Sequence, residues 1–365
     1  MPMLEMTAED QAKLNASINE TARILRKYTD QDKLQDFESI EIEVREQMLN
    51  IVGPQIGEFF FSEGGTKTSG KTRSVNTVIG EVEVSRKQAR RLGMTGKSPI
   101  SPALEKCCLR LCANVSYQQS EEDLRELMGI NIGHSSLQRL VQRVDLPPAQ
   151  TDILSEGVSV DGGKIRVREQ EEGNQWKDYK LVSLHGGICE AFFQDPQGLL
   201  NWSNSIPLSP ILTCLGDGHP GIWNIISPFG QSQVFVKREV LDWFHLKENL
   251  YKVGGSLRRL ERVENFLWQG WVDKALQEFK KLQNKKAVNF CKYLETHRER
   301  IPCYSFYQKL GITIGSGDVE SKIKQVAARV KITGAQWARK NVERILRLRC
   351  AYLNHSSRLS IYAHA

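Results

Sequence analysis

The chain has 365 residues, of which 40% are hydrophobic and 25% charged, and its 50 Lys and Arg against 43 Asp and Glu give a net charge of +7 and a pI near 8.9. This length exceeds the usual single-domain range and the apolar content is ample for folded cores, while the small basic excess allows a polyanionic partner without dictating a fold. No apolar stretch reaches the roughly 18 residues of a membrane span, the first nine residues are not a cationic-then-apolar leader, and the eight cysteines form neither a C-x-x-C pair nor zinc-finger spacing, so the expectation is a cytoplasmic, nucleoid-associated chain with reduced core thiols.

Residues 1–63 read as a helical segment, with Leu14, Ile18, Ala22, Ile24 and Leu25 at three- and four-residue steps and a second run from Asp36, suited to dimerisation or docking. Gly64 to Lys71 reads as a linker, and Val75 to Arg86 as a strand pair turning near Gly80. Within the next region, 72–146, an apolar-periodic helix through Leu124, Leu127 and Met128 is followed by Gly129-Ile130-Asn131-Ile132-Gly133. A second helix then runs through Leu137, Leu140 and Val141. This is helix-turn-helix spacing, in which Ser135, Ser136, Gln138, Arg139, Gln142 and Arg143 would face a DNA major groove; an ordinary helical hairpin has the same spacing.

Beyond an extended hinge at Pro147-Pro148, strands are predicted at Val158 to Val160, Tyr179 to His185, Ile188 to Phe193, Ile211 to Leu215 and Gln233 to Lys237, an order that fits a mixed sheet. From Asn249 to about Leu310 the pattern is helical and charged, an insertion ahead of the final helices. Between Ser321 and Cys350, Lys322, Lys324, Arg329, Lys331, Arg339, Lys340, Arg344, Arg347 and Arg349 are opposed only by Glu343, which predicts two helices broken near Thr333-Gly334 with one face packed and the other on phosphates. A solvated helical face is the plainer alternative for such a run.

Three acids stand in unusual surroundings: Asp161 in V-S-V-D-G-G-K, Asp217 in C-L-G-D-G-H-P-G-I-W and Glu320 in G-S-G-D-V-E-S. Asp161 and Asp217 each end an apolar run and precede glycine, so each is expected at a strand tip, whereas Glu320 opens a basic helix. Asp-Gly is also a common turn dipeptide. Three gathered carboxylates are the hard oxygen donors that magnesium or manganese prefers, and two such ions activate the attacking oxygen and stabilise the leaving oxygen of a phosphodiester.

With V-S-V-D-G-G-K, G-D-G-H-P-G-I-W-N, D-W-F-H-L-K-E-N (242–249), G-S-G-D-V-E-S and the looser R-V-K-I-T-G-A-Q-W (329–337) taken together, residues 155–355 resemble DDE insertion-sequence transposases of the ISKra type within the Mutator-like group. The resemblance implies an α/β, ribonuclease H-like catalytic domain over 155–355 with its helical insertion at about 249–310. It implies a catalytic triad of Asp161, Asp217 and Glu320 binding two Mg2+ or Mn2+ ions, with Asp242 and His245 as an accessory pair. Relatives of that type often carry a Cys-x-x-Cys after the N-terminal strands, where this chain reads R-K-Q-A-R-R-L-G-M.

The implied activity is strand cleavage at transposon ends followed by strand transfer into target DNA, by a homo-oligomer that brings two double-stranded ends together. The DNA contacts would come from Ser136, Gln138, Arg139, Gln142 and Arg143 on one side and from Lys322, Lys324, Arg329, Lys331, Arg339 and Lys340 on the other. A transposase-derived DNA-binding protein without catalysis and a structure-selective nuclease on the same fold are the alternatives. Trp243 is expected in the core, and Trp223 either beside Asp217 or stacked on an unpaired base.

Overall fold

A computed structural model of the chain describes residues 6–63, 71–94, 98–169, 173–280, 282 and 284–362. The chain divides into two units, Met1–Cys108 with Gln118–His134, and Leu109–Tyr117 with Ser135–Ala365.

In the first unit, α1 (Ala8–Lys27) is capped by the Thr7 hydroxyl, which accepts from the Asp10 amide, and carries acids in its first turn and bases in its last. None of its residues is buried, so Leu14, Ile18 and Ile24 form an open apolar stripe. Helix α2 (Phe37–Gln47), capped by Asp36, runs through a π-helical turn at Met48–Val52 into α3 (Gly53–Glu63). The predicted linker falls almost wholly outside the described residues.

Strands β1 (Thr72–Thr77) and β2 (Gly80–Ser85) pair antiparallel, with Gly80 at φ +108° closing the turn, and Val75, Val82, Val84 and Ala89 form a small core beneath them. The R-K-Q-A-R-R-L-G-M stretch holds helix α4 (Arg86–Arg91), opened by a Ser85–Gln88 capping box. Helices α5 (Pro102–Cys112), α6 (Tyr117–Met128) and α7 (His134–Arg143) follow. Leu124 is buried in α6, but Leu127, expected in the apolar face, is 72% exposed. Glu121 accepts the His134 amide at 2.7 Å and so satisfies the first turn of α7.

The second unit is a mixed α/β assembly. Its sheet contains β3 (Ser155–Glu169), β4 (Gly173–Leu184), β5 (Cys189–Phe192), β6 (Leu208–Gly216) and β7 (Val236–Leu241) in the order β5-β4-β3-β6-β7, and β8 (Trp337–Ala338) pairs with the far end of β3. Strand β4 is antiparallel to both of its neighbours, β3 and β5, while β3, β6 and β7 run parallel. Parallel neighbours need crossover connections, and α8 (Pro196–Ser205) and α9 (Pro220–Ile226) fall in those links. The Pro147-Pro148 segment is bolted down immediately after the prolines: Ala149 donates its N–H to buried Glu190 on β5 at 2.8 Å, and its carbonyl accepts from Trp202 Nε1 at 2.7 Å.

Helix α10 (Trp243–Tyr251) leads into the insertion, α11 (Leu257–Trp268), α12 (Val272–Phe279), α13 (Lys285–Thr296) and α14 (Tyr304–Lys309). One continuous core, including Val158, Leu215, Leu246, Leu267 and Phe290, joins the sheet to these helices. Trp243, Trp268 and Tyr304 pack their rings within 4.7–6.1 Å of one another, and the Tyr304 hydroxyl donates to Leu241 O. Helices α15 (Gly317–Val330) and α16 (Arg339–Leu353) close the unit, α15 against β3 and β4 and α16 against β5.

Candidate active site

The parallel register gathers the acids. Ser159 on β3 pairs with Leu215 on β6, and Gly216 on β6 with Leu241 on β7. Continuing those pairings, Asp161 draws level with Asp217, and Asp217 with Asp242, whose amide donates to Gly216 O at 2.9 Å. The three carboxylates therefore cross the sheet in a row where β6 and β7 end, the edge at which open parallel sheets place their ligands. Asp217 sits at a strand tip as expected, but Asp161 does not. It lies inside β3, which continues beyond β6 as a long hairpin with β4. The Gly162-Gly163 pair that suggests a turn is strand instead, because a Cβ at Gly163 would lie inside the ring of its cross-strand partner Tyr179.

Asp242 is buried and caps α10: its Oδ1 accepts the His245 amide at 2.8 Å and its Oδ2 accepts the Ser316 amide just before α15. The Trp243 amide adds a bond to Ile314 O at 3.0 Å. Gly315 fits only because it has no side chain, since a Cβ there would stand 2.5 Å from the Phe244 ring. This carboxylate, expected to be catalytic, accepts from two backbone amides. It fixes the starts of the two helices that carry His245 and Glu320, whose side chains meet at 3.4 Å between Nε2 and Oε1.

Asp161, Asp217 and Glu320 are all half-buried. Burial raises the Asp161 carboxyl above the usual range, and the negative charges of Asp217 and Glu320 add to it, against the Gly162 amide and His245. These four side chains share one electrostatic neighbourhood. Asp161 Oδ1 accepts from the Gly162 amide at 2.6 Å, Asp217 Oδ1 from the His219 amide at 2.8 Å, and Glu320 also faces Lys324 at 3.5 Å. Among the described residues no three His, Cys, Asp or Glu side chains converge closely enough to grip an ion as they stand. By chemistry alone, the donor set consists of three half-buried carboxylates, the hard oxygen donors a divalent cation takes.

Several supporting residues carried no sequence signal. Gly218, at φ +93°, lets the chain turn under the Tyr293 ring, and Tyr293 OH donates to Asp217 O at 3.4 Å. His297, nearly fully buried at the end of α13, bonds the Gly218 backbone; burial chiefly, with Arg300, lowers its pKa. The insertion therefore leans on the loop that presents Asp217. Behind Glu320, Asp318 accepts from Ser183 Oγ on β4 and from Lys322 Nζ at 3.0 Å, and Ser159 pairs with His185 at 2.7 Å. Asp318 is readable in G-S-G-D-V-E-S, two residues before Glu320, but its partners on β4 are not.

The basic run divides. Lys324 is 77% exposed in its side chain, and Lys331, Arg339 and Lys340 are exposed too, with Arg339 paired to Glu169 at 3.4 Å. Lys322, expected on phosphates, is instead 17% exposed and held by Asp318, Ser183 Oγ and Gly187 O. Arg329, expected there as well, is 2% exposed and donates from Nε to Cys112 O at 2.7 Å. Helix α7 buries Leu137, Leu140 and Val141 and leaves Gln138, Arg139 and Arg143 exposed, with Ser136 and Gln142 half-buried. Trp223 is buried, with the Arg300 guanidinium 4.3 Å above its ring, so the base-stacking alternative does not apply. None of the eight cysteines is in a disulfide, and among the described residues no helix is long and apolar enough to cross a membrane.

No protein-family model matches the chain. A curated relative described as "UPF0236 protein in vanSb 3'region", from Streptococcus gallolyticus, is 21% identical over 334 residues, covering 78% of this chain and 73% of its own. The chain is similar to that protein across most of its length, at an identity that leaves the carboxylate row as the main guide to chemistry.

Proposed function

We propose that the chain is a DNA transposase of the DDE type, with a ribonuclease H-like catalytic domain that cleaves transposon ends and transfers the freed strand into target DNA. The observation that carries this reading is the meeting of Asp161, Asp217, Glu320 and His245 from four separate elements in one electrostatic neighbourhood at the strand ends. The strand order β5-β4-β3-β6-β7, with its antiparallel half and parallel half, supports the fold assignment.

Asp161, Asp217 and Glu320 would hold Mg2+ or Mn2+. Bound there, divalent cations supply charge neutralisation at the phosphate and activation of the attacking oxygen. The protein's own part is placement. The sheet register fixes the first two carboxylates, Asp242 and the Ser183–Asp318–Lys322 contacts fix the helix that bears Glu320, and His245 directs its imidazole at the same point. The exposed Lys324, Lys331, Arg339 and Lys340 would hold the DNA backbone, and Gln138, Arg139 and Arg143 of α7 would read bases. Pairing of two DNA ends calls for a homo-oligomer, and DNA as substrate places the chain at the nucleoid.

The test uses duplex DNA carrying the sequences that flank the gene, with magnesium, and follows cleavage and joining separately. Asp161→Asn, Asp217→Asn and Glu320→Gln should each lower cleavage by about a thousandfold, roughly 4 kcal/mol of barrier, while leaving end binding within about twofold. Cleavage that persists in any of them removes the assignment, and cleavage without joining points to a nuclease.

A further inference from the structure

Arg329 presents a separate problem. It projects from α15 into the interior, 5.1 Å from the Trp337 ring centroid and 5.5 Å from that of Tyr117, and its Nη2 has no hydrogen-bond partner. No carboxylate pairs with it among the described residues. A buried guanidinium is costly unless an anion answers it. It lines a cavity of about 360 Å³ together with Arg168, Gln138, Asn341, Tyr117 and Trp337, and no Asp or Glu is among the lining residues. Arg168 reaches in from the exposed end of β3, its Nη2 donating to Gln336 at 3.2 Å. Two guanidiniums, amide donors, aromatic walls and no acid describe a site for a small anion attached to a flat group. The volume lies within the range of small-ligand sites.

We propose that this pocket binds a single nucleotide through its phosphate ester, with Arg329 and Arg168 as the charged partners. The phosphate supplies the anion that Arg329 lacks, and the Tyr117–Trp337 corner, with rings 6.4 Å apart, offers the base an aromatic surface. The nucleotide comes either free or as the unpaired end of a DNA strand. Asp161 lies seven positions earlier on β3, roughly 23 Å away at the rise of a strand, so the pocket is distinct from the carboxylate row and does not depend on its chemistry.

Equilibrium dialysis of the full chain in EDTA against radiolabelled thymidine monophosphate, and separately against 5′-labelled pentathymidylate, tests this. Saturable binding is expected, with thymidine failing to compete. Arg168→Ala, at the rim, and Arg329→Met should each weaken binding by at least about tenfold, with Lys13→Ala on the exposed face of α1 changing it by less than about twofold. If Arg329→Met does not fold, Arg168→Ala alone decides. Tighter binding of the monophosphate assigns the site to free nucleotide, and tighter binding of the oligonucleotide assigns it to a strand end. No saturable binding of either, equal competition by thymidine, or indifference to Arg168→Ala overturns the proposal. Asp161→Asn should leave this binding intact, which separates its outcome from that of the cleavage assay.

Discussion

Removing the Asp242 carboxylate tests whether one buried side chain aligns two helices. Its two oxygens accept the amides of His245 and Ser316, and it is buried, so Asp242→Ala leaves two interior N–H groups without acceptors and α10 without its cap. Hydrogen bonds to a charged group are worth about 1.5–3 kcal/mol each, which puts the loss of two at about 3–6 kcal/mol. Asp242→Asn keeps the shape and one acceptor but turns an NH2 toward the second amide, so about 1–3 kcal/mol is expected. For a unit of this size each kcal/mol moves the melting midpoint by about 2–4 °C, so Asp242→Ala should melt on the order of 10 °C lower by circular dichroism. Well below either midpoint, single-turnover cleavage by Asp242→Asn should still be depressed, because His245 and Glu320 lose their common anchor. An Asp242→Ala chain that melts within about 1 °C of the parent refutes the reasoning.

Glu190 gives a pH signature: it is 2% exposed, and burial foremost lifts its carboxyl from 4.5 to about 7. The folded chain then holds a proton that the unfolded chain releases, so stability falls as pH rises from about 4.5 to about 7 and the full cost, about 3 kcal/mol, applies above that window. Glu190→Gln should gain on the parent across that window in parallel denaturant titrations, and a pH-independent difference would count against the buried-acid account. Gly315→Ala should lower both melting midpoint and cleavage, since the new methyl meets the Phe244 ring; unchanged values would show that the two helix starts tolerate separation. Lys324→Ala should weaken DNA binding and reduce its salt slope by about one, whereas Lys322→Ala, inside its Asp318 and Ser183 contacts, should mainly cost stability. Equal salt slopes for the two variants would dissolve that distinction.

Periodicity and flanking glycines disclosed much of the second unit. The strands expected at Val158, Tyr179, Ile188, Ile211 and Gln233 correspond in order to β3, β4, β5, β6 and β7, with α10 after the last, and Asp217 lies where its apolar run ends. The last sheet strand, expected from Gln233, begins at Val236 and reaches Leu241, directly against Asp242. Asp161 inside β3 was hidden because Gly162-Gly163 carries the same local signal whether the chain turns or a facing tyrosine ring fills the missing side chain. Charge count could not separate Arg329 and Arg349, buried against Cys112, Ala113 and Asn114, from Lys324 and Lys340 on the outside, because a helical spacing of bases names no partner. Leu127 shows the same limit for apolar residues: its position matches the buried stripe of α6, yet its side chain stands exposed among the described residues.

The chain departs from the sheet at Asp242 and comes home at Ser316, and one side chain clasps both ends of the excursion. A detour stapled at its base is cheap to rebuild, since each doubling of a flexible loop's length costs only about 0.6 kcal/mol. Grafting a different helical module between those two points should therefore leave the acid row in place. Such a graft must reproduce the ties that the insertion makes to the sheet: Tyr293 and His297, which brace the turn at Gly218, Tyr304, whose hydroxyl reaches Leu241 O, and Arg300, which pairs with Glu239.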